Sequence, residues 1–241
     1  MKIYNFFSPN FNRKKRLINS IKIIVIHYTG MQSQRESIIK LCDSSSKTSS
    51  HFLISRSGKI YRLVQDNKTA WHAGKSCWGK YKNLNKNSIG IELVNKGHRF
   101  DYTNFKKKQL KSLIQICKIL IKKYKIKKWN LVGHSDVAPL RKIDPGEKFP
   151  WKHLAVSGIG FWHKCKSDLL KKNRKIKIIN KTNKIKFIRN LNKIGYCFSN
   201  KKKSFFAKIL IAFQRHYRKE LINGVLDKEC MIIAQNLSKK L

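Results

Sequence analysis

One stretch constrains this chain more than any other: Gly133-His134-Ser135-Asp136-Val137-Ala138-Pro139-Leu140-Arg141-Lys142-Ile143-Asp144-Pro145-Gly146. It follows a short apolar run, Trp129 to Val132, that reads as a buried strand. It has no helical periodicity, and its Gly and Pro residues mark it as a loop. A His, two Asp, an Arg and a Lys therefore sit on a shaped loop at a strand end, the kind of place where a rigid scaffold holds chemical groups. A second histidine, His27, ends another apolar run, Ile23 to Ile26. Two strand-end histidines and a loop carboxylate can supply three ligands to one zinc ion, with a fourth position left for water.

The rest of the chain supplies a sheet to carry those ends. Residues 22–27, 51–54, 59–64 and 88–93 read as strands, and Ser57-Gly58 signals a hairpin between the second and third. In Ser88 to Leu93, Ile89, Ile91 and Leu93 alternate with Gly90 and Glu92, so Glu92 faces away from the apolar side. Gln34 to Cys42 reads as a short amphipathic helix. Phe105 to Tyr124 reads as a longer one, with Thr103 as its N-cap and lysines on its wet face. Pro150 suits the first turn of a further helix. The predicted class is α/β (α+β): a mixed central sheet flanked by helices, followed by a small three-helix domain.

Five ordered pieces of this sequence carry a resemblance. Val25-Ile26-His27-Tyr28-Thr29, Ser50-His51-Phe52-Leu53-Ile54, Ala70-Trp71-His72-Ala73-Gly74, Ser88-Ile89-Gly90-Ile91-Glu92-Leu93 and the 133–146 loop occur in the same order in another family. Across roughly residues 20 to 165 the chain resembles the zinc-dependent N-acetylmuramoyl-L-alanine amidases of the AmpD/AmiD type, relatives of the peptidoglycan recognition proteins. The resemblance implies Zn²⁺ held by His27, His134 and Asp144. It implies Glu92 as the proton acceptor facing the attacking water, and Lys142 as the group that stabilises the oxyanion. It places Trp71 and His72 at the substrate cleft and Asn85 near a substrate amide, though Trp71 reads equally as an aromatic packing corner. Beside the resemblance, Trp78 reads as a further wall of that groove, and the planar fork of Arg141 suits a stem-peptide carboxylate. His51 is expected to support the site from behind. Asp136 has two readings: it orients a ligand histidine, or it caps the loop turn. The implied reaction is hydrolysis of the amide between N-acetylmuramic acid and L-alanine in peptidoglycan or muropeptides.

The predicted organisation is a basic lead-in over 1–19, the zinc amidase domain over 20–165, a basic linker over 166–183 and the three-helix domain over 184–241. In the last, Ile185, Ile188, Leu191 and Ile194 form one apolar stripe. Ile209, Leu210, Phe213 and Tyr217 form a second, and Met231, Ile232 and Leu237 a third, with Asp227 as a helix cap. Ala212-Phe213-Gln214 and the turn from Asn223 to Asp227 resemble the peptidoglycan-binding domain that some AmiD-type amidases carry. The other reading is a three-helix bundle without a ligand.

Composition sets the remaining bounds. The formal charge of +43, from 55 Lys and Arg against 12 Asp and Glu, favours polyanions. It is spread over every segment, as drifted composition would also produce. No specific nucleic-acid signature accompanies it. Two lesser readings therefore stand beside the enzyme: a module that binds peptidoglycan without cleaving it, and a nonspecific nucleic-acid binder. No apolar run is long enough to span a membrane. Neither a secretory h-region nor a lipid-acceptor cysteine is readable, and the spacing of the 6 cysteines suggests no disulfide framework. The expectation is a monomer in a reducing, cytoplasmic compartment, with the periplasm or cell envelope as the alternative.

Overall fold

The computed structural model describes residues 2–198 and 203–241. In chain order its strands are β1 (Ile3–Asn5), β2 (Phe11–Asn12), β3 (Ile23–Tyr28), β4 (Phe52–Ile54), β5 (Ile60–Arg62), β6 (Thr69–Ala70), β7 (Cys77–Trp78), β8 (Tyr81–Lys82), β9 (Ser88–Leu93) and β10 (Leu131–Gly133). Six of them form a mixed sheet in the order β1-β5-β4-β9-β3-β10. β3 lies parallel to both β9 and β10, and the β4–β5 hairpin is antiparallel. The helices are α1 (Gln34–Cys42), α2 (Lys107–Tyr124), α3 (His134–Val137), α4 (Trp151–Val156), α5 (Ser167–Asn173), α6 (Lys181–Ile194), α7 (Lys203–Tyr217) and α8 (Lys228–Ser238).

Strand alternation divides the molecule into two layers. Ile24 and Ile26 of β3, with Ile89, Ile91 and Leu93 of β9, turn to one face. There Leu113, Ile116, Cys117 and Leu120 of α2 bury them. Each such side chain contributes about 1.5–3 kcal/mol on burial. Ile23 and Val25 point the other way, and period two carries His27 to that same face. Across the parallel register His27 stands opposite Glu92, so both polar residues emerge side by side.

On this second face the core does not stop at the sheet. Ile23, Val25, Val132 and Val137 share one cluster with Phe187, Leu191, Phe213 and Ile233 of α6, α7 and α8. The region expected as a linker is ordered: it contains α5, whose Leu170 is buried in the same cluster. The hairpin formed by β7 and β8 is joined to the segment after α6 by a disulfide between Cys77 and Cys197. Spacing gave no hint of that bond, because the partners lie 120 residues apart and meet only through the fold.

Several local expectations change in the structure. Thr103 does not cap α2; its hydroxyl accepts a bond from the Arg56 guanidinium, and Lys106 is the N-cap. The 133–146 stretch is not wholly a loop, since His134 to Val137 make one helical turn. In α6 the buried stripe is Phe187, Leu191 and Ile194, while Ile185 is exposed. In α8 Ile233 and Ala234 fill the inner face, with Met231 and Ile232 at its margin. Among the described residues no helix is long and apolar enough to cross a membrane.

Candidate active site

His27 is the next-to-last residue of β3, and His134 follows β10 as the first residue of α3. The loop then returns Asp144 to them, its backbone oxygen accepting from Ser135 N at 2.8 Å. Three donor atoms converge. His27 Nδ1 lies 3.0 Å from His134 Nδ1 and 3.0 Å from Asp144 Oδ2, and the last two are 3.1 Å apart. All three residues are buried.

The partners of His134 decide what this convergence means. Its Nε2 faces the Ala73 carbonyl oxygen at 3.2 Å. A carbonyl only accepts, so Nε2 carries the proton and Nδ1 keeps its lone pair. In the neutral ring that lone pair points at the Asp144 carboxylate oxygen, 3.1 Å away. Burial alone would raise the Asp144 carboxyl, but positive charge and N–H bonds from the His134 and His27 rings hold it well below the ordinary carboxylate range, so this point favours either protonated rings or a bound cation. Two acceptors packed this closely call for a cation, and the set of two imidazole nitrogens and one carboxylate oxygen suits zinc.

A second carboxyl, Glu92, shares the cavity with these three donors. Glu92 lies on the cavity floor, and its Oε2 is buried with no hydrogen-bond partner among the described residues. Burial, reinforced by the Asp144 charge and opposed by Lys142, pushes its carboxyl up to about 8. A cation at the three donors would draw it down again by direct attraction. Burial likewise pushes the His27 imidazole down to about 4, with His134 adding to the effect. Lys142 lines the same cavity of about 330 Å³, whose walls also include Thr29, Lys40 and Thr48.

Of the expected substrate contacts, His72 and Arg141 line the cavity, and Trp71, Trp78 and Asn85 are not among its lining residues. Trp78 is only 2% exposed and packs edge-on to Tyr196 at 5.0 Å, inside the core shared with the C-terminal helices. Trp71 is half-buried away from the cavity, its Nε1 donating to Asn12 Oδ1 at 2.6 Å. Asn85 Oδ1 accepts from the backbone N–H groups of His72 and Ala73 at 3.2 and 2.7 Å. Arg141 reaches the cavity rim, but its guanidinium donates to the Ala73 and Lys75 carbonyls. Asn85 and Arg141 thus clamp the 72–75 segment from two sides. His72 touches the cavity while both its ring nitrogens face protein groups, His27 and Ser88. His51 lies behind, its Nδ1 accepting from Gly90 N at 3.0 Å.

Asp136 resolves toward the cap, with an addition. Its Oδ2 accepts from Gly133 N at 2.7 Å, closing the first turn of α3. It also bonds outward to the helical unit: His216 Nδ1 at 2.7 Å and Tyr196 Oη at 2.7 Å. Gly133 itself must lack a side chain, since a Cβ there would meet the Pro145 ring at 2.7 Å. Lys40 and Thr48 were not legible as cavity residues, because an exposed lysine on an amphipathic helix and a threonine in a Ser/Thr-rich loop have no distinguishing sequence signal.

Fold and site together define an α/β protein with a candidate metal centre at its strand ends and a buried carboxylate beside it. The chain belongs to the N-acetylmuramoyl-L-alanine amidase family, whose model matches residues 18–147. It is 36% identical over 236 residues to the N-acetylmuramoyl-L-alanine amidase AmiD of Escherichia coli, covering 91% of this chain and 83% of AmiD. A solved structure of that AmiD, in complex with the substrate anhydro-N-acetylmuramic acid-L-Ala-D-gamma-Glu-L-Lys, aligns with a TM-score of 0.80 at 33% identity. The alignment covers 95% of this chain and 92% of that one. AmpDh3 from Pseudomonas aeruginosa, in complex with anhydromuramic pentapeptide, aligns with a TM-score of 0.80 at 30% identity, over 95% of this chain and 94% of its own.

Proposed function

We propose that His27, His134 and Asp144 hold a zinc ion and that Glu92 and Lys142 act on the substrate beside it. The reaction is hydrolysis of the amide between N-acetylmuramic acid and L-alanine in peptidoglycan fragments, the activity of the family. The observation that carries the metal assignment is the buried convergence of His27 Nδ1, His134 Nδ1 and Asp144 Oδ2, each pair 3.0–3.1 Å apart.

An amide resists water because water is a weak nucleophile and the amine a poor leaving group. Zinc, when bound, supplies a Lewis acid that makes water acidic enough to react near neutral pH. Glu92 takes the proton from the attacking water and returns it to the amine nitrogen as the C–N bond breaks. Its lack of a fixed partner leaves the carboxylate free for both tasks. The Lys142 ammonium stabilises negative charge as it develops on the carbonyl oxygen.

The Cys77–Cys197 disulfide favours action in the cell envelope over the cytoplasm. Zinc content and activity test the central reading together. Purified protein should carry about one zinc per chain and release free stem peptide from an anhydro-muropeptide. Chelation should stop release, and added zinc should restore it. Undiminished release from zinc-free protein would overturn the assignment.

A further inference from the structure

His72 sits directly behind His27. Its ring is buried, with Nδ1 3.0 Å from His27 Nε2 and Nε2 3.1 Å from Ser88 Oγ. The proton positions can be read from the far end of this row. Ser88 Oγ lies 2.6 Å from the Leu84 carbonyl oxygen, so the hydroxyl donates there. Ser88 Oγ is then the acceptor for His72, whose Nε2 carries the proton. A neutral imidazole has a single N–H, which leaves His72 Nδ1 as an acceptor. His27 Nε2 must therefore donate, and His27 Nδ1 keeps a lone pair aimed at His134 and Asp144.

The strand beneath is shaped for this ring. A Cβ on Gly90 would overlap the His72 ring, so any larger residue at 90 would displace it. His72 also meets His51 and His27 edge-on, with centroids at 5.7 and 5.1 Å. The Asn85 amide oxygen fixes the backbone N–H of His72.

We propose that His72 is a positioning residue that fixes His27 as an Nδ1 metal ligand, through a directed row of hydrogen bonds running Leu84, Ser88, His72, His27. The proposal rests on the metal reading above. A ring that merely filled space would be replaceable by phenylalanine; a ring that must accept a hydrogen bond would not. Asparagine places an amide oxygen near the position of imidazole Nδ1, so it keeps the acceptor while losing much of the ring.

The test is the affinity of the purified full chain for zinc alone, by competition with a chromophoric chelator, with the visible spectrum of the cobalt(II) form as a second readout. His72→Phe should weaken zinc binding about 10–100-fold and alter the cobalt spectrum, as loss of a partner behind a metal ligand does. His72→Asn should stay much closer to wild type. Ser88→Ala touches no ligand and serves where a ring variant fails to fold; it should weaken binding severalfold. Zinc affinity and cobalt spectrum unchanged in both His72→Phe and Ser88→Ala would overturn the positioning role and leave the amidase reading intact. A wild-type chain that binds no zinc would overturn the metal reading, and this inference with it.

Discussion

His27 and His134 stand at the ends of paired parallel strands and present the same atom to the same point, yet they are held by different parts of the molecule. His27 is braced from inside the sheet domain, by His72 and Ser88. His134 rides on a turn whose cap, Asp136, is gripped by Tyr196 and His216 from the helical unit. His216 is in turn stacked on Trp151 at 3.9 Å, so this grip is buried on every side. The family model ends at residue 147, whereas the support for one of its two histidines comes from beyond residue 190. The helical unit is thus part of the active site's frame.

The largest effects should come from removing either ring. His27→Ala and His134→Ala should both lose zinc on dialysis and all measurable amidase activity; a variant that retains stoichiometric zinc would break the symmetry of their ligand roles. Glu92→Gln should keep zinc and lower kcat by about 10²–10⁴-fold, the usual range for a lost general base. Lys142→Ala should lower kcat by about 10²–10³-fold with a smaller change in KM. Asp136→Asn sharpens the contrast itself. It weakens the bonds to Gly133, His216 and Tyr196 at once and should destabilise the fold by about 1–3 kcal/mol in urea denaturation. Ser88→Ala should cost less stability, because its row never leaves the sheet domain.

The smallest effect is a pH dependence of stability in the metal-free protein. Burial holds His27 near 4 and His51 near 3, His51 further lowered by Arg16. Unfolded, each would titrate at about 6.5. The stabilisation is therefore present above pH 6.5 and is lost as pH falls toward 4, where the unfolded chain takes up protons that the fold excludes. Thermal melts between pH 7 and 4 should show a decline that His51→Gln flattens, and an equal slope in the variant would count against it.

Much of this was legible in the sequence. Period-two alternation put Glu92 on the polar face, and apolar runs placed both histidines at strand ends. What sequence could not convey was direction. Trp78 was expected to line the groove, and only the docking of α6 and α7 turns it into the core. Asn85 and Arg141 were recognisable as polar groups near the site, but their partners are backbone carbonyls and N–H groups, which leave no trace in residue identity. The Cys77–Cys197 bond was hidden for the same reason, since its partners become neighbours only after two units have packed.

The shared core beneath β3 and β10 has a mechanical corollary. A binding module on a flexible tether lets its enzyme sweep a volume and sample many bonds. Here the helices are fused to the sheet through buried aliphatic contact and a covalent staple, so no such sweep is available. Any polymer gripped by the outer surface of those helices would meet the cavity at one fixed offset, as in the jaws of a caliper.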